Sequence, residues 1–207
     1  SQVRALQAGG AVSNQLEPAA VAGFYLMGSV PEPWTLYKDT KALPPGSYLL
    51  ANNQGVSAPQ LYCDIASILA EASCTNWRPR ESEALDLIHE SLRDSVSAHL
   101  VSDVPVGLFL SSGIDSGALA GLMSQKHNLE AITLGFDEYA GTPADEVPLA
   151  TYIAAHFGLR HRVERIGKDA FLAQLPKIMS DMDQPSIDGI NTWLVSRAAA
   201  QNGWKVA

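Results

Sequence analysis

Apolar residues recur with a helical period near the middle of the chain. Between Leu85 and Leu100, leucine, isoleucine and valine follow one another at steps of three and four residues. This spacing predicts an amphipathic helix. Before residue 77 the sequence instead carries clusters of turn formers, such as the Pro-Pro-Gly segment at 44–46. In that first part we predict short strands at 34–37 and 47–50 and a helix at 17–26.

Short apolar runs alternate with helical stretches in the rest of the chain. We predict strands at 104–110, 129–136 and 161–166, helices at 117–126, 145–157, 168–182 and 190–202, and a further strand starting at 204–207. Strands that alternate with helices of this length form βαβ units, so the prediction is an α/β fold with a parallel sheet flanked by helices. In such sheets the ligand binds beyond the carboxyl ends of the strands.

The composition narrows the class of protein. Hydrophobic residues make up 46% of the 207 residues and charged residues 17%, which excludes a disordered chain. The net charge of −8 argues against a nucleic-acid partner, because proteins that coat nucleic acids carry a basic patch. No apolar run reaches the roughly 18 residues of a membrane helix, so no membrane partner is predicted.

The cysteine content favours a cytoplasmic protein. Cys63 and Cys74 are the two cysteines, and they do not form a CxxC pair. Reduced thiols are the simplest interpretation, although a disulfide between the two is left open.

The segment from Val106 to Gly117 carries the clearest chemistry. An apolar strand runs into a Ser/Gly loop and a helix follows at once, which places backbone N–H groups and a helix N-terminus at one point. Such a point binds phosphate. Asp115 would repel an anion there unless a cation lies between them, so it suggests Mg²⁺. The alternative is a plain strand-to-helix turn with Ser116 as its N-cap.

The same segment resembles a known loop. Residues 102–107 read SDVPVG and residues 110–116 read LSSGIDS, which is similar to the SDVPVG and LSGGLDS of the PP-loop in glutamine-hydrolysing asparagine synthetases. Collinear matches lie at 43–49, 133–136, 154–158 and His161, 183–185 and 193–197. The resemblance covers roughly residues 23–207, and several motifs in order are more specific than one.

The resemblance implies a fold and an activity. The fold is adenine nucleotide alpha hydrolase-like, that of the PP-loop ATP pyrophosphatases, and it is truncated in this chain. The activity is that of a ligase of the glutamine-hydrolysing asparagine synthase type. ATP with Mg²⁺ adenylates aspartate or a related carboxylate acceptor, and ammonia derived from glutamine then displaces AMP. Two alternatives stay open: a β-lactam synthetase-like or other PP-loop adenylating ligase, and a degenerate nucleotide-binding module without turnover.

The resemblance also implies site residues. Those assigned to ATP and pyrophosphate are Leu110, Ser111, Ser112, Gly113, Asp115, Ser116, Leu134 and Gly135. Asp115 is the expected metal ligand. Asp183 and Gln184 are the expected catalytic residues.

Two residues depart from the family pattern. Ser112 stands where the family has glycine, and its Cβ is expected to crowd the phosphates or to disfavour a positive φ. Gln184 stands where many members have glutamate, and an amide cannot accept the proton that a carboxylate could. Base catalysis is then expected to shift to Asp183 or to be absent.

The resemblance divides the chain at residue 77. Residues 1–76 resemble the tail of a glutaminase-type domain and its bridge, and residues 77–207 resemble a synthetase domain that is incomplete at its C-terminal end. The family's N-terminal cysteine and its second phosphate loop have no counterpart here. The chain is therefore expected to be a fragment without activity of its own. A homodimer is left open.

Four other polar residues have simpler interpretations. His156 and His161 are five apart without a third metal ligand nearby in the sequence, so a helix-end histidine and a strand histidine are expected. Asp145 and Glu146 stand at a predicted helix start, where carboxylates are favoured by the helix dipole. A secondary role of this acidic pair near the nucleotide is the weaker hypothesis.

Overall fold

The chain divides into two compact units. The computed structural model describes residues 2–10, 12–75, 77–124 and 129–207. One unit comprises residues 1–78 together with 181–189, and the other comprises residues 79–180 together with 190–207. The sequence-based division placed 181–189 with the second part. None of the helices in the described ranges combines the length and the apolar character that crossing a membrane requires.

The first unit holds small elements. Its helices are α1 (Val3–Ala8), α2 (Pro18–Met27) and α3 (Ile65–Cys74), and its strands are β1 (Ser47–Tyr48), β2 (Ala51–Asn52), β3 (Gly55–Val56) and β4 (Gln60–Leu61). β1 pairs with β4 and β2 with β3, both antiparallel. The predicted helix at 17–26 is α2, which begins where the Glu17 carboxylate accepts from the Ala19 N–H and ends at Gly28 in the left-handed conformation. Cys63 and Cys74 are free thiols.

The strand predicted at 34–37 forms only isolated bridges. Trp34 bridges Lys41, and Tyr37 bridges Leu16. Between them the buried Thr35 hydroxyl donates its one proton to the Thr40 carbonyl, 2.7 Å away, and accepts from the Tyr37 N–H at 3.3 Å. This side chain satisfies backbone groups that a strand would pair in a ladder, so the segment forms two isolated bridges instead of a strand.

The second unit is built on a parallel sheet. Its elements are α4 (Glu81–His99), β5 (Gly107–Phe109), α5 (Ile114–Met123), β6 (Glu130–Phe136), α6 (Val147–His156), β7 (Arg160–Ile166), α7 (Lys168–Asp181) and α8 (Gly189–Gln201). The strand order is β5-β6-β7, and both pairs are parallel. The predicted α/β fold with a helix-flanked parallel sheet is confirmed. The C-terminal end predicted for the helix at 117–126 lies outside the described residues.

Strand β5 has neighbours on both sides. Phe109 pairs with Ile132 of β6, and on the other edge Val106 forms a parallel bridge with Val206. The Gly107 N–H donates to the Val206 carbonyl at 3.1 Å. The strand predicted at 204–207 is therefore present as a single bridge. The loop after β5 consequently emerges from inside the sheet.

Helices cover both faces of this sheet. On one face Leu108 and Leu110 of the β5 region pack with small residues of α5 and α6, notably Ala120 and Ala154. On the other face Ile132 packs with alanines of α8 and with Trp204. Small side chains let helices approach a sheet closely, and this close packing holds the loop after β5 between two rigid elements.

The helix predicted at 85–100 forms as α4, but most of its apolar stripe is uncovered. Leu85, Ile88 and Leu92 are 59%, 55% and 46% exposed. Val96 alone of the α4 residues is buried, and it joins the core beneath α5. The spacing of the apolar residues thus predicts the helix and the face that carries them, but it does not predict which residues cover that face.

Candidate nucleotide site

The loop after β5 starts from a buried residue. Leu110 is 2% exposed, and its N–H donates to the Ile132 carbonyl at 2.9 Å. Helix α5 begins four residues later with Gly113 as its N-cap, so the proposed cap at Ser116 is wrong. Ser116 lies inside the first turn of the helix instead. The chain therefore reverses at the carboxyl end of a parallel strand, where α/β proteins bind ligands.

Serine hydroxyls fix the inner side of this loop. The Ser111 N–H donates to Ser116 Oγ at 3.1 Å, and the two serine hydroxyl oxygens are 2.8 Å apart. The Gly113 N–H donates to Ser111 Oγ, also at 3.1 Å. These local bonds tie the first residue of the loop to the first turn of the helix, which gives the loop one conformation.

Ser112 fits the loop without backbone strain. Among the described residues Asp39 is the non-glycine residue with a positive φ, so the positive φ expected to penalise a side chain at position 112 does not occur. The Ser112 N–H faces Glu146 Oε2 at 3.4 Å. A carboxylate of the same chain thus lies where the loop presents an N–H to an anion.

Asp115 is available to a cation. It is exposed on the first turn of α5, and within the described part of the chain its carboxylate has no hydrogen bond or ion pair. Groups of three or more His, Cys, Asp or Glu that could hold a metal are absent from that part. One carboxylate and nearby hydroxyls suit Mg²⁺, which takes few protein ligands and completes its shell with phosphate oxygens and water.

A cavity of about 390 Å³ lies beside the loop. Its lining is Phe109, Leu110, Ser111, Ile132, Leu134, Gly135, Phe136, Tyr139, Ala144, Asp145, Glu146, Asn191 and Val195. Four of the predicted nucleotide residues are among them: Leu110, Ser111, Leu134 and Gly135. Its volume and its mixture of apolar walls and a few polar groups are those of a small-molecule site.

An ion pair holds one wall of the cavity. Asp145 accepts from Arg165 Nη2 at 3.0 and 3.3 Å, and its side chain is 3% exposed. Asp145 Oδ1 also accepts from the Val147 N–H at the start of α6, whereas Glu146, the N-cap residue, makes no side-chain cap bond. The hydrogen bond from Arg165 holds the pKa of the Asp145 carboxyl below its ordinary value. This pair links the strand β7 to the loop before α6.

We expect this pair to make stability depend on pH. The folded-state pKa of Asp145 is lowered, so its stabilising effect is present above the ordinary value of 3.8 and is lost as pH falls through the lower folded-state value. Urea unfolding should show Arg165→Gln less stable than wild type at neutral pH, with the difference shrinking in acid. Arg162→Gln is the control, since Arg162 bonds the neutral Asn202 side chain. A difference for Arg165→Gln that did not change with pH would contradict the assignment.

The two histidines occupy separate surroundings. His156 stacks on Tyr152 and meets the edge of Phe157, with ring centroids 6.3 and 4.8 Å away. His161 Nε2 lies 2.7 Å from the Thr133 hydroxyl, inside the sheet. Burial lowers the pKa of His161, which favours its neutral form.

Asp183 and Gln184 belong to the first unit, and both side chains contact backbone there. The Asp183 carboxylate accepts from the N–H groups of Val3 and Arg4 at 3.0 and 2.9 Å. Gln184 Oε1 accepts from the Leu36 N–H at 2.6 Å. Their catalytic role stays a prediction.

Several residues of the site were not predicted from the sequence. Tyr139, Asn191 and Val195 line the cavity. Tyr139 ends the short 3-10 turn that follows the carboxyl end of β6, and that position was a usable signal because parallel sheets gather ligand contacts there. Asn191 and Val195 come from α8, which no local pattern connects to the loop.

The fold and the site together define a class. A parallel α/β sheet with a Ser/Gly loop between β5 and α5, beside a cavity at the carboxyl ends of the strands, is the architecture of the PP-loop superfamily. Residues 87–207 match the model of the asparagine synthase family, which is more than half of the chain. The chain therefore belongs to the asparagine synthase family.

Individual relatives agree with this membership. The chain is 29% identical over 194 residues to asparagine synthetase [glutamine-hydrolyzing] 1 of Bacillus subtilis, with 91% of this chain and 29% of the relative covered. It is 32% identical over 177 residues to a putative asparagine synthetase [glutamine-hydrolyzing] of Mycobacterium tuberculosis, covering 84% of this chain and 26% of the relative. It is 24% identical over 189 residues to the amidase chyE of Penicillium rubens, covering 83% and 27%. The chain thus spans less than a third of the length of each.

Proposed function

We propose that this chain is part of an ATP-dependent, amide-forming synthetase that adenylates a carboxylate. The observation that carries the proposal is the loop from Ser111 to Ser116, which joins a central parallel strand to a helix and borders a cavity of about 390 Å³. Family membership supports the ligase chemistry. Aspartate is the proposed acceptor, since the relatives from Bacillus subtilis and Mycobacterium tuberculosis carry the name asparagine synthetase.

The loop residues bind and orient the phosphates in this proposal. The Ser112 N–H and the positive end of α5 attract the phosphate oxygens, and the serine hydroxyls supply further donors. Asp115 would hold Mg²⁺, which neutralises charge that develops on the pyrophosphate leaving group. Because the Ser111–Ser116–Gly113 bonds already fix the loop, its donors need little reorganisation when that charge appears.

The cavity binds the adenosine in this proposal. Leu134 and Gly135 belong to β6 and line the cavity beside Leu110. Gly135 lies under Val147, whose Cγ2 would be 2.7 Å from a Cβ at that position, so a side chain there would displace the wall of the cavity. Apolar side chains with exposed backbone groups at a strand end suit a flat base.

The remaining parts of the family reaction are assigned by resemblance. Residues 1–76 are proposed to be the tail of a glutaminase-type domain, and 77–207 part of the synthetase domain. Ammonia from glutamine would then displace AMP from the acyl adenylate. Asp183 is the proposed proton acceptor. Gln184 would hold the backbone next to Asp183 in place, because its Oε1 accepts from the Leu36 N–H.

Exchange of labelled pyrophosphate into ATP tests the proposal. The full-length protein with Mg²⁺ is expected to catalyse this exchange only when an acceptor carboxylate is present, because adenylation must be reversible and carboxylate-dependent. A panel of aspartate, glutamate and β-amino acids separates an asparagine-forming enzyme from a β-lactam synthetase-like one. ATP binding without exchange for any carboxylate would favour the degenerate nucleotide-binding module, and an absence of ATP binding would refute both.

A further inference from the structure

A buried hydroxyl links the start of the loop to a histidine on β7. Thr133 is 1% exposed, and its Oγ1 lies 2.7 Å from the Leu110 carbonyl oxygen. The same Oγ1 lies 2.7 Å from His161 Nε2. Three consecutive polar groups therefore run from β7 through β6 to the end of β5.

The direction of these hydrogen bonds follows from the number of protons. A hydroxyl has one proton, and the Leu110 carbonyl oxygen can only accept. Thr133 therefore donates to Leu110 and must accept from His161. The chain runs His161 Nε2–H to Thr133 O–H to Leu110 O, which requires a proton on Nε2 of the imidazole.

The carbonyl at the end of this chain is part of the peptide that opens the loop. Leu110 C=O shares a rigid plane with the Ser111 N–H, which donates to Ser116 Oγ at 3.1 Å. The ladder between β5 and β6 ends at Phe109 paired with Ile132, so the Thr133 side chain holds a carbonyl beyond the last paired residue. Rotation of this one peptide plane would move the Ser111 N–H and break its hydrogen bond to Ser116 Oγ.

We propose that Thr133 and His161 act as a positioning pair that sets the orientation of the Leu110–Ser111 peptide plane and, through it, the phosphate-binding loop. The inference rests on the proposed function for what the loop binds. The tautomer of His161 and the hydrogen-bond chain do not depend on the proposed function. Neither residue contacts the cavity, so neither is a catalytic residue.

Two substitutions break the hydrogen-bond chain from His161 to Leu110, and two preserve it. Thr133→Val keeps the shape but removes the hydroxyl, and Thr133→Ser keeps the hydroxyl. His161→Leu removes the donor, while His161→Gln retains an N–H at a similar reach. In the full-length protein we expect Thr133→Val and His161→Leu to lower kcat/KM for ATP in the exchange reaction about 10- to 100-fold, since small misplacements of a site have effects of this size. Thr133→Ser and His161→Gln should stay within about threefold of wild type.

Two comparisons distinguish positioning from a purely structural role. Rates are expressed per folded molecule, with the folded fraction measured by circular dichroism, and they should still fall for the two breaking variants. The double variant Thr133→Val/His161→Leu should be no slower than Thr133→Val alone, because both changes remove the same chain. Unchanged rates per folded molecule, or effects that multiply, would overturn the proposal.

A spectroscopic readout does not depend on activity. The ring ¹⁵N chemical shifts of His161 in the wild-type protein should be those of the neutral Nε2–H tautomer, and Thr133→Val should change them. A neutral Nδ1–H tautomer would overturn the inference, even if exchange is observed. If exchange is absent for every carboxylate while the Nε2–H tautomer is found, the proposed function fails and the hydrogen-bond chain stands.

Discussion

Asp115→Ala in the full-length protein is expected to lower the rate of ATP–pyrophosphate exchange by about 10²-fold or more, while ATP affinity changes by less than about tenfold. Asp115 is exposed at the first turn of α5 and is the proposed Mg²⁺ ligand beside the phosphate loop. A metal ligand acts mainly on charge that develops in the transition state, whereas the bound nucleotide also keeps its backbone contacts. The measurement pairs exchange kinetics with calorimetric titration of Mg·ATP.

A matched carboxylate serves as the control for this prediction. Asp103 is also exposed and lies before β5, at the opposite end of that strand from the loop. Asp103→Ala should leave exchange and ATP affinity near the wild-type values. Exchange by Asp115→Ala within a few-fold of wild type would show that Asp115 does not hold the metal.

Gly107→Ala is expected to destabilise the second unit by about 1–3 kcal/mol, the usual cost of inserting a methyl group into a packed core. A Cβ at Gly107 would lie 2.1–2.5 Å from three ring carbons of Trp204. The indole cannot withdraw easily, because its Nε1–H donates to Glu130 at 3.0 Å and its ring stacks on Phe109. Urea unfolding followed by circular dichroism measures the loss.

A second glycine and a double variant make this prediction specific. Among the described residues a Cβ at Gly117 would meet only Ile153, at 3.7 Å, and Gly117 lies in α5, so Gly117→Ala should be neutral or stabilising. Gly107→Ala/Trp204→Ala should cost less than the sum of the two single changes, because the clash disappears with the ring. If the costs of the two single changes were strictly additive, a clash with the Trp204 indole would not be the reason that Gly107→Ala destabilises the protein.

The position of the loop could be predicted from the sequence because its determinants are local. An apolar run, a Ser/Gly turn and a helix start lie within about a dozen residues, and each is specified by the residues that form it. The parallel sheet followed in the same way from the alternation of strands and helices. Leu110, Ser111, Leu134 and Gly135, which the resemblance assigned to one nucleotide site, line one cavity, and their role in binding stays a prediction.

The remaining features depend on pairings between distant residues. Thr133 reaches His161 because β6 and β7 align Ala131 with His161, which makes Thr133 a diagonal neighbour. A shift of that register would separate the two, and no pattern in a single strand specifies the register. The Asp145–Arg165 pair and the contacts of residues 181–189 with Val3 and Leu36 depend equally on tertiary packing.

The Glu146 carboxylate faces the Ser112 N–H of the loop, where a phosphate is proposed to bind. Under the proposed function, a phosphate that binds there would replace the Glu146 carboxylate as the acceptor of the Ser112 N–H. Under the proposed function, the measured affinity would then be the difference between two anion contacts, and the length of the side chain at position 146 would change it. Glu146 thereby gives the Ser112 N–H a partner while no phosphate is bound.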